Sequence, residues 1–253
     1  MSNQETRDDT LIELYNVKKI YKRGREDVVG IRGVSLVVKK GDFIVVCGPS
    51  GSGKTTLLNL MSGMDRSTAG DILFERRNIR DLSEEELTKL RNEKIGFIFQ
   101  FFNLIESMTA LENVMSPLMP NKDLPDKEIE NRALQALGTV GMLDKKDSLP
   151  NQLSGGEQQR VAIARAIVTN PEIIFADEPI AQLDEENARN IIDLLTGLNQ
   201  QRRTTIILAT ASRDLADKLK NVATKMVFLE RGDIVEIQER RGNRWVRVSS
   251  SSP

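Results

Sequence analysis

A nine-residue stretch, GPSGSGKTT at residues 48–56, constrains the fold more strongly than any other part of the chain. It matches the pattern G-x-x-x-x-G-K-[ST], whose glycines let the backbone curl until its N–H groups point at phosphate oxygens. An apolar run at residues 42–47 precedes the stretch and predicts a strand, while residues 55–62 suit a helix. This strand–turn–helix context is what the motif needs, and it disfavours the alternative of an ordinary flexible glycine turn.

The motif predicts a site for the phosphates of a nucleotide. Lys54 is placed to reach the β- and γ-phosphates, and the Thr55 hydroxyl is placed to ligate Mg²⁺. The N-terminus of the following helix adds partial positive charge. The predicted binding residues are Gly48, Pro49, Ser50, Gly51, Ser52, Gly53, Lys54, Thr55 and Thr56.

Length and charge narrow the class of protein. The 253 residues suffice for one large domain or for a domain with a sizeable insertion. A net charge of −1 provides no basic field, so we expect no nucleic-acid partner. The single cysteine, Cys47, falls in a predicted buried strand, which disfavours disulfides and a cysteine metal site, and histidine is absent.

The sequence also bears on membrane contact. The first ten residues are polar and lack the apolar core of a signal peptide. No run approaches the roughly 18 apolar residues of a membrane span. We therefore expect a cytoplasmic protein with no direct membrane insertion.

Apolar strands alternate with helical segments, which predicts α/β architecture around a mainly parallel sheet. The predicted strands are 10–21, 33–38, 42–47, one that follows a turn within 63–74, 95–100, 173–176 and 205–210, followed by a hairpin of 225–229 and 233–237. The main predicted helices are 55–62, 83–90, 126–137, 155–167, 184–199 and 213–220. Residues 101–153 show no strand alternation and predict a helical insertion. Residues 1–9 are a predicted polar tail, and residues 249–253 a predicted disordered tail.

Two acidic residues, Asp177 and Glu178, end the apolar strand at 173–176. In a chain that binds phosphate, such a pair suggests a metal ligand and a general base. Because Pro179 follows, the alternative is a signal for the start of a helix. The upstream phosphate-binding loop favours the catalytic interpretation.

Gln100 and Tyr21 each permit two interpretations. Gln100 ends an apolar strand, which suggests a polar role at the strand end, although a surface glutamine is the commoner case. Tyr21 ends an early strand and is suited either to stacking on a base or to a half-buried place in that strand. The residues alone leave both alternatives open.

The stretch LSGGEQQR at residues 153–160 opens a predicted helix. Ser154 and Glu157 have the spacing of a capping box, so the helix begins at Gly155. Gly155 and Gly156 are unfavourable in a first helical turn, which suggests that something approaches the backbone closely there. The alternative is a capped core helix with incidental glycines.

With GPSGSGKTT and LSGGEQQR in this order, the chain resembles the ATP-binding subunits of ABC transporters over about residues 10–238. The resemblance implies an ATPase domain at 10–248 with a P-loop NTPase (RecA-like) α/β core, at about 10–100 and 155–238. It also implies a helical subdomain at about 101–154 and an N-terminal antiparallel β subdomain. ATP and Mg²⁺ are the implied cofactors.

The resemblance also assigns roles to single residues. Tyr21 corresponds to the aromatic that stacks on adenine, and Gln100 to a glutamine that contacts both the metal and the reaction centre. Asp177 corresponds to the aspartate that holds Mg²⁺ together with Thr55. Glu178 corresponds to the carboxylate that activates the attacking water.

Subunits of this kind pair head to tail on ATP, so the resemblance implies a homodimer. Asp184 would then lie at the dimer interface. The implied catalytic set is Glu178, Gln100 and Lys54. The residues of one copy that close over the γ-phosphate bound at Lys54 of the other are Ser154, Gly155, Gly156 and Glu157.

Two longer stretches narrow the subgroup. GMDRSTAGDI at 63–72 and IGFIFQFFNLIESMTALENV at 95–114 are similar to the lipoprotein-releasing, macrolide-exporting and FtsEX-type cell-division group. The resemblance implies an integral membrane permease as partner, and a peripheral position on the inner face of the cell membrane. Residues 101–104 would lie where the permease docks, the alternative being that they belong to the core of the helical subdomain.

The chain departs from the family pattern after the strand at 205–210. The family places a histidine there, whereas this chain has Ala211 between Thr210 and Ser212. Residues 180–182 also depart, with Gln182 in place of a small residue. Losing one preorganised transition-state contact costs about 10²–10³ in rate, so we expect ATP binding with impaired hydrolysis.

Three functions follow from the resemblance. The first is an ATP-hydrolysing motor of a transporter, and the second is a slow or non-hydrolysing ATP switch that regulates a membrane partner. The third, a nucleic-acid machine of the same superfamily, is disfavoured by the single cassette, the short insertion and the lack of basic excess.

Overall fold

A computed structural model describes residues 9–24 and 26–248 of the chain. The predicted tail at 249–253 and all but Asp9 of the predicted tail at 1–9 lie outside the described residues. The chain forms two compact units: residues up to Thr88 and from Arg203 onward make the first, and Lys89–Arg202 make the second. The subdomain boundaries expected near residues 100 and 155 stay a prediction.

The elements of the described residues are as follows. The strands are β1 (Thr10–Arg23), β2 (Glu26–Lys39), β3 (Phe43–Cys47), β4 (Ala69–Phe74), β5 (Arg77–Asn78), β6 (Ile95–Ile98), β7 (Ile173–Asp177), β8 (Thr205–Thr210), β9 (Lys225–Glu230), β10 (Asp233–Arg241) and β11 (Arg244–Val248). The α-helices are α1 (Lys54–Met61), α2 (Glu84–Lys94), α3 (Ala110–Met115), α4 (Asp126–Thr139), α5 (Gly155–Ile167), α6 (Glu185–Arg202) and α7 (Arg213–Leu219).

An antiparallel sheet with the order β2-β1-β4-β5 forms one layer of the first unit. In β2 the buried residues Val34, Leu36 and Val38 alternate with more exposed ones, as expected for a strand with one face on a core. Leu14 of β1 pairs with Leu36 of β2, and this register keeps the apolar side chains on that face. This sheet confirms the predicted N-terminal antiparallel β subdomain.

A second sheet of the first unit has the order β11-β10-β9-β3-β8. Strand β3 lies between β8 and β9 and runs parallel to both. Every residue of β3 and β8 is buried, which is typical of parallel strands covered on both faces. The carboxyl ends of β3 and β8 therefore share one edge, where the phosphate-binding stretch begins.

The second unit is mostly helical around a short pair of parallel strands. Strand β6 pairs with β7, with Ile98 opposite Ala176. A β-carbon at Gly96 would lie 2.4 Å from the carbonyl oxygen of Ala166, so only glycine lets β6 pack this closely on α5. The helical insertion is confirmed, since α3 and α4 occupy it. No helix in the described ranges has the length and apolar character of a membrane span.

A buried amide organises the loop before α3. Asn113 is fully buried, and its Oδ1 accepts a hydrogen bond of 2.7 Å from the Ile105 N–H. Its Nδ2 donates to the carbonyls of Ile105, Met108 and Thr109 at 2.9–3.1 Å. One side chain thus makes hydrogen bonds to one N–H and three carbonyls of the turn at residues 105–109.

We expect Asn113→Ala to lower the free energy of unfolding by about 2–3 kcal/mol, because buried backbone groups lose their partner. Denaturant unfolding monitored by circular dichroism measures the change. Asn131→Ala is the matched control, since Asn131 is exposed on α4 and alanine has the higher helix propensity. Equal losses in the two variants would contradict the assigned role of Asn113.

Candidate functional site

The phosphate-binding loop connects β3 to α1 in the first unit. Gly53 is the N-cap residue of α1 with φ 103°, and no side chain caps the helix. Gly51 has φ 75° and nothing within 4 Å of the place where a β-carbon would stand. A β-carbon at Gly48 would instead lie 2.1 Å from the carbonyl oxygen of Leu229. The loop is therefore packed at its start and open in its middle, next to uncapped helix N–H groups.

Lys54 lies across this loop. Its side chain is buried, with 6% exposure, and Nζ donates to the carbonyls of Gly48 at 3.0 Å and Pro49 at 3.2 Å. Ser52 Oγ is buried and has no hydrogen-bond partner among the described residues. A held ammonium, an unsatisfied hydroxyl and uncapped N–H groups together fit an anionic ligand such as a nucleotide phosphate chain.

Tyr21 lies on β1 and is 38% exposed. Its hydroxyl donates to Asp65 Oδ2 at 2.9 Å, and Lys19, which also pairs with Asp65, holds its ammonium 4.8 Å from the ring centroid. A β-carbon at Gly30 would lie 2.8 Å from the ring, so the ring packs on bare backbone. The ring is thus fixed and partly accessible, and stacking on adenine stays a prediction.

The same contacts shift two pKa values. Burial, together with the neighbouring carboxylate of Asp65, raises the pKa of Tyr21. Burial alone would raise the pKa of Asp65, but hydrogen bonds from Lys19, Tyr21 and the Arg66 backbone lower it below its ordinary value.

Ala211 follows β8 and is exposed. The neighbouring Ser212 caps α7, accepting a hydrogen bond of 3.2 Å from the Leu215 N–H. Ala211 lines a cavity of about 460 Å³ that reaches Gly48 and Pro49 of the phosphate loop. The position of the family's histidine therefore faces a cavity beside the phosphate-binding loop. The hydroxyl of the neighbouring Ser212 already caps α7.

The acidic pair lies at the end of β7 in the second unit. Asp177 is buried, and Glu178 adopts φ 47°, which turns the chain directly after the strand. Gln159 of α5 donates from Nε2 to the Pro179 carbonyl at 2.7 Å and fixes this turn. The next helix begins only at Glu185, so the helix-start alternative for the acidic pair is wrong.

Gln100 lies at the same edge of this unit. It follows β6, whose last residue Ile98 pairs with Ala176, directly before Asp177. The Gln100 side chain is exposed, as a surface glutamine would be. The parallel pairing therefore places Gln100 and Asp177 at the carboxyl ends of adjacent strands, where side chains of an α/β site gather.

The start of α5 forms the predicted capping box. Ser154 Oγ accepts from the Glu157 N–H at 3.3 Å, and the Glu157 carboxylate accepts from the Ser154 N–H at 2.8 Å. This backbone hydrogen bond lowers the pKa of Glu157. A β-carbon at Gly155 would make only ordinary contacts, the nearest at 3.6 Å to the Phe102 ring, so packing within the chain does not require glycine there.

Gly156 has a different surrounding from Gly155. A β-carbon there would lie 2.3 Å from Asn187 Oδ1 of the same unit. Asn187 Nδ2 in turn donates to Asp184 Oδ2 at 2.6 Å, and its backbone N–H donates to Asp184 Oδ1 at 2.9 Å, which lowers the pKa of Asp184. This contact gives Gly156 a packing reason within the chain, and the implied approach of a phosphate to Gly155 and Gly156 stays a prediction.

The structure thus distributes the predicted residues over the two units. The first unit holds Tyr21, the phosphate loop and Ala211, and the second holds Gln100, the helix start at Ser154, and the acidic pair. Sequence reasoning missed Asn187 and Asp65. Asp184 and Asn187 have the spacing of an N-cap residue and the third residue of its helix. This spacing could have pointed to Asn187.

Comparison with known proteins agrees with this geometry. Residues 31–181 match the model of the ABC transporter family. The chain therefore belongs to the ABC transporter family, as an ATP-binding subunit, and the predicted P-loop NTPase fold and subgroup are confirmed.

Three relatives illustrate the match. An uncharacterised ABC transporter ATP-binding protein of Methanocaldococcus jannaschii, MJ0796, is 40% identical over 235 residues, covering 92% of this chain and 98% of the relative. A lipoprotein-releasing system ATP-binding protein, LolD 1 of Chlorobium chlorochromatii, is 38% identical and covers 96% of this chain and 98% of the relative. The macrolide export ATP-binding/permease protein MacB of Syntrophobacter fumaroxidans is 41% identical, and the match covers 96% of this chain but 33% of that relative.

One solved structure shares the fold closely. A dimeric structure of the cassette MJ0796, in a post-hydrolysis state bound to ADP and Pi, has a TM-score of 0.84 at 40% identity. The match covers 92% of this chain and all of that one.

The Tyr21 contacts generate a pH prediction. Replacing Asp65 with Asn removes the carboxylate that disfavours tyrosinate, so the pKa of Tyr21 should fall, while burial keeps it above the ordinary value. Absorbance titration in a Tyr15→Phe background isolates Tyr21, because the chain has two tyrosines. A Tyr21 pKa that stays constant or rises in Asp65→Asn would contradict the assigned contact.

Proposed function

We propose that the chain binds Mg-ATP, forms a homodimer on it and drives a membrane permease, with hydrolysis slowed by the alanine at position 211. The observation that carries this proposal is the buried Lys54, held inside an open glycine loop at the carboxyl end of β3. The capped helix start at Ser154 also supports the proposal, since in a head-to-tail dimer it supplies the second half of the other copy's nucleotide site.

The residues divide the work of phosphoryl transfer. The loop N–H groups and Lys54 hold the β- and γ-phosphates, and Tyr21 supports the base. Thr55, Gln100 and Asp177 offer a hydroxyl, an amide and a carboxylate oxygen, which suit Mg²⁺. When bound, Mg²⁺ neutralises charge on the phosphates.

Glu178 has the role of base. Its φ of 47° carries the carboxylate past the strand end, and the Gln159 bond to Pro179 keeps that turn in place. The carboxylate takes a proton from the water that attacks the γ-phosphate.

The dimer is supported by the fold match. The relative MJ0796 is dimeric in its solved structure. In our proposal Ser154, Gly155, Gly156 and Glu157 of one copy face the γ-phosphate bound by the other, and the absence of a side chain at Gly155 lets an oxygen approach the backbone. Asp184 lies near the pairing surface.

The membrane partner is supported by the names of relatives and by exposed apolar residues. The permease brings the chain to the cytoplasmic face of the membrane, and it decides what is transported. Phe101 is 65% exposed, which argues against a core role, whereas Phe102 and Leu104 are half-buried. We propose residues 101–104 as the docking segment.

A second function, an ATP switch with little turnover, is favoured by Ala211. Its methyl group cannot hold the attacking water or contact the γ-phosphate by a hydrogen bond. The chain would then close on ATP and reopen slowly, so that the bound state itself signals to the membrane partner.

Lys54→Ala should weaken Mg-ATP binding by at least about 100-fold, since charge-assisted contacts to the terminal phosphates are lost. Isothermal calorimetry measures the affinity, and circular dichroism verifies the fold. Lys89→Ala serves as control, because Lys89 lies on an exposed face of α2. Unchanged affinity in Lys54→Ala would overturn the nucleotide site.

Ala211→His should raise ATP turnover by at least about tenfold, the conservative end of what one transition-state contact supplies. The cavity at position 211 leaves room for the ring, so added imidazole should also accelerate the unmodified protein and not the histidine variant. Phosphate release measures turnover, and size-exclusion chromatography with ATP measures how long the dimer persists.

The control for this prediction is Val235→His, a substitution at an exposed position of β10 that does not line the cavity at Ala211. If the unmodified protein turns over as fast as Ala211→His, another group replaces the histidine. Ser212 and Gln182 are then the residues to change, and slowed hydrolysis is disproved.

A further inference from the structure

Arg165 carries a charge that the second unit does not balance. It lies on α5 and is half-buried, and its Nη1 and Nη2 donate to the carbonyls of Asn103 at 2.5 Å and Phe102 at 2.9 Å. Within the described residues these are its only hydrogen bonds, and no carboxylate pairs with it. Neutral carbonyls orient a guanidinium but leave its charge uncompensated.

Burial disfavours the charged form of the Arg165 guanidinium. It lowers the pKa of the Arg165 guanidinium below its ordinary value, since a low-dielectric surrounding disfavours the charged form. A buried cation without a counter-ion becomes more stable when an anion arrives beside it. The location therefore favours a negatively charged ligand.

A small cavity gives such a ligand access. It has a volume of about 130 Å³, and Arg165 lines it together with a second arginine, Arg91. No acidic residue lines it. The other lining residues are Asn92, Ile95, Gly96, Phe97, Pro117, Ala166 and Thr169. The cavity is too small for a nucleotide or a drug-sized molecule, whose pockets measure roughly 300–1,000 Å³, but it suits the end of one side chain.

Several exposed apolar residues lie within two positions, along the chain, of residues that bond Arg165 or line the cavity. Phe101 is 65% exposed, Ile105 42% and Met119 49%. Arg165 holds the backbone at Phe102 and Asn103, so it also fixes the segment that presents Phe101. A ligand for this surface needs an acid flanked by apolar groups, which describes a protein segment better than a free anion.

We propose that this cavity receives an acidic side chain, Asp or Glu, from the permease segment that docks on residues 101–104. The identity of the partner rests on the proposed function, whereas the carboxylate site rests on Arg165 itself. Arg165 then has two tasks, because it shapes the docking segment through two carbonyls and recognises the incoming charge.

The test uses the full chain without nucleotide and two synthetic tripeptides. N-acetyl-Leu-Glu-Leu amide presents the acid between apolar groups, and N-acetyl-Leu-Gln-Leu amide is its neutral isostere. Titrations followed by NMR should show saturable shifts of the Arg165 Nε–H and of the Gly96 and Thr169 amides with the glutamate peptide. The glutamine peptide should bind at least about tenfold more weakly.

Variants and controls separate the site from general charge attraction. Arg165→Gln should abolish the shifts at Gly96 and Thr169. Arg91→Gln leaves the Arg165 carbonyl contacts in place and should weaken peptide binding severalfold. If Arg165→Gln does not fold, Arg91→Gln alone tests the carboxylate site. Arg132, an exposed arginine paired with Glu128 on α4, is the internal control whose Nε–H should not move.

Several results would overturn the proposal. Absent shifts, equal shifts with both peptides, or an equal shift of Arg132 would each disprove a carboxylate site. Inorganic phosphate that moves the same amides as strongly as the glutamate peptide would replace the partner by a free anion. Because neither ATP nor permease is present, these results are independent of the ATP-binding test at Lys54.

Discussion

The contact between bare backbone at Gly48 and the carbonyl of Leu229 fixes the loop on which the site depends. Gly53 is held in a similar way at the other end, while Gly51 faces open space. A loop with fixed ends and a free middle presents its N–H groups without a large ordering cost when a ligand binds. The fixed loop also positions Lys54, whose ammonium donates to carbonyls of the loop, and it positions the start of α1.

Much of this arrangement could be predicted because it depends on local sequence. The phosphate loop, the capping box at Ser154 and the buried strands β3, β7 and β8 follow from motif spacing and apolar runs. The hairpin of β9 and β10 follows from Arg231 and Gly232, which both adopt positive φ at the turn. Each of these signals is confined to a few neighbouring residues.

What could not be predicted depends on partners distant in sequence. The first part of β2, from Glu26, is an exposed ribbon paired with β1, and its polar residues gave no strand pattern. Strand β11 was missed for the same reason. Likewise, Asp65 holds Tyr21 across 44 positions, and Asn113 gathers a turn that no motif marks. The motifs in the sequence show that Ala211 stands where the family has a histidine, but only the structure shows the cavity beside it.

The contact of the Gly156 backbone with the Asn187 side chain brings together the beginnings of α5 and α6. Two hydrogen bonds tie Asp184 to Asn187, so the Asn187 amide is held between the Asp184 carboxylate and the Gly156 backbone. A β-carbon at position 156 would displace the Asn187 amide and weaken its hydrogen bond to Asp184, so the bare backbone at Gly156 also preserves the contact that holds Asp184. One amide side chain therefore couples the starts of two helices that are separate in the sequence.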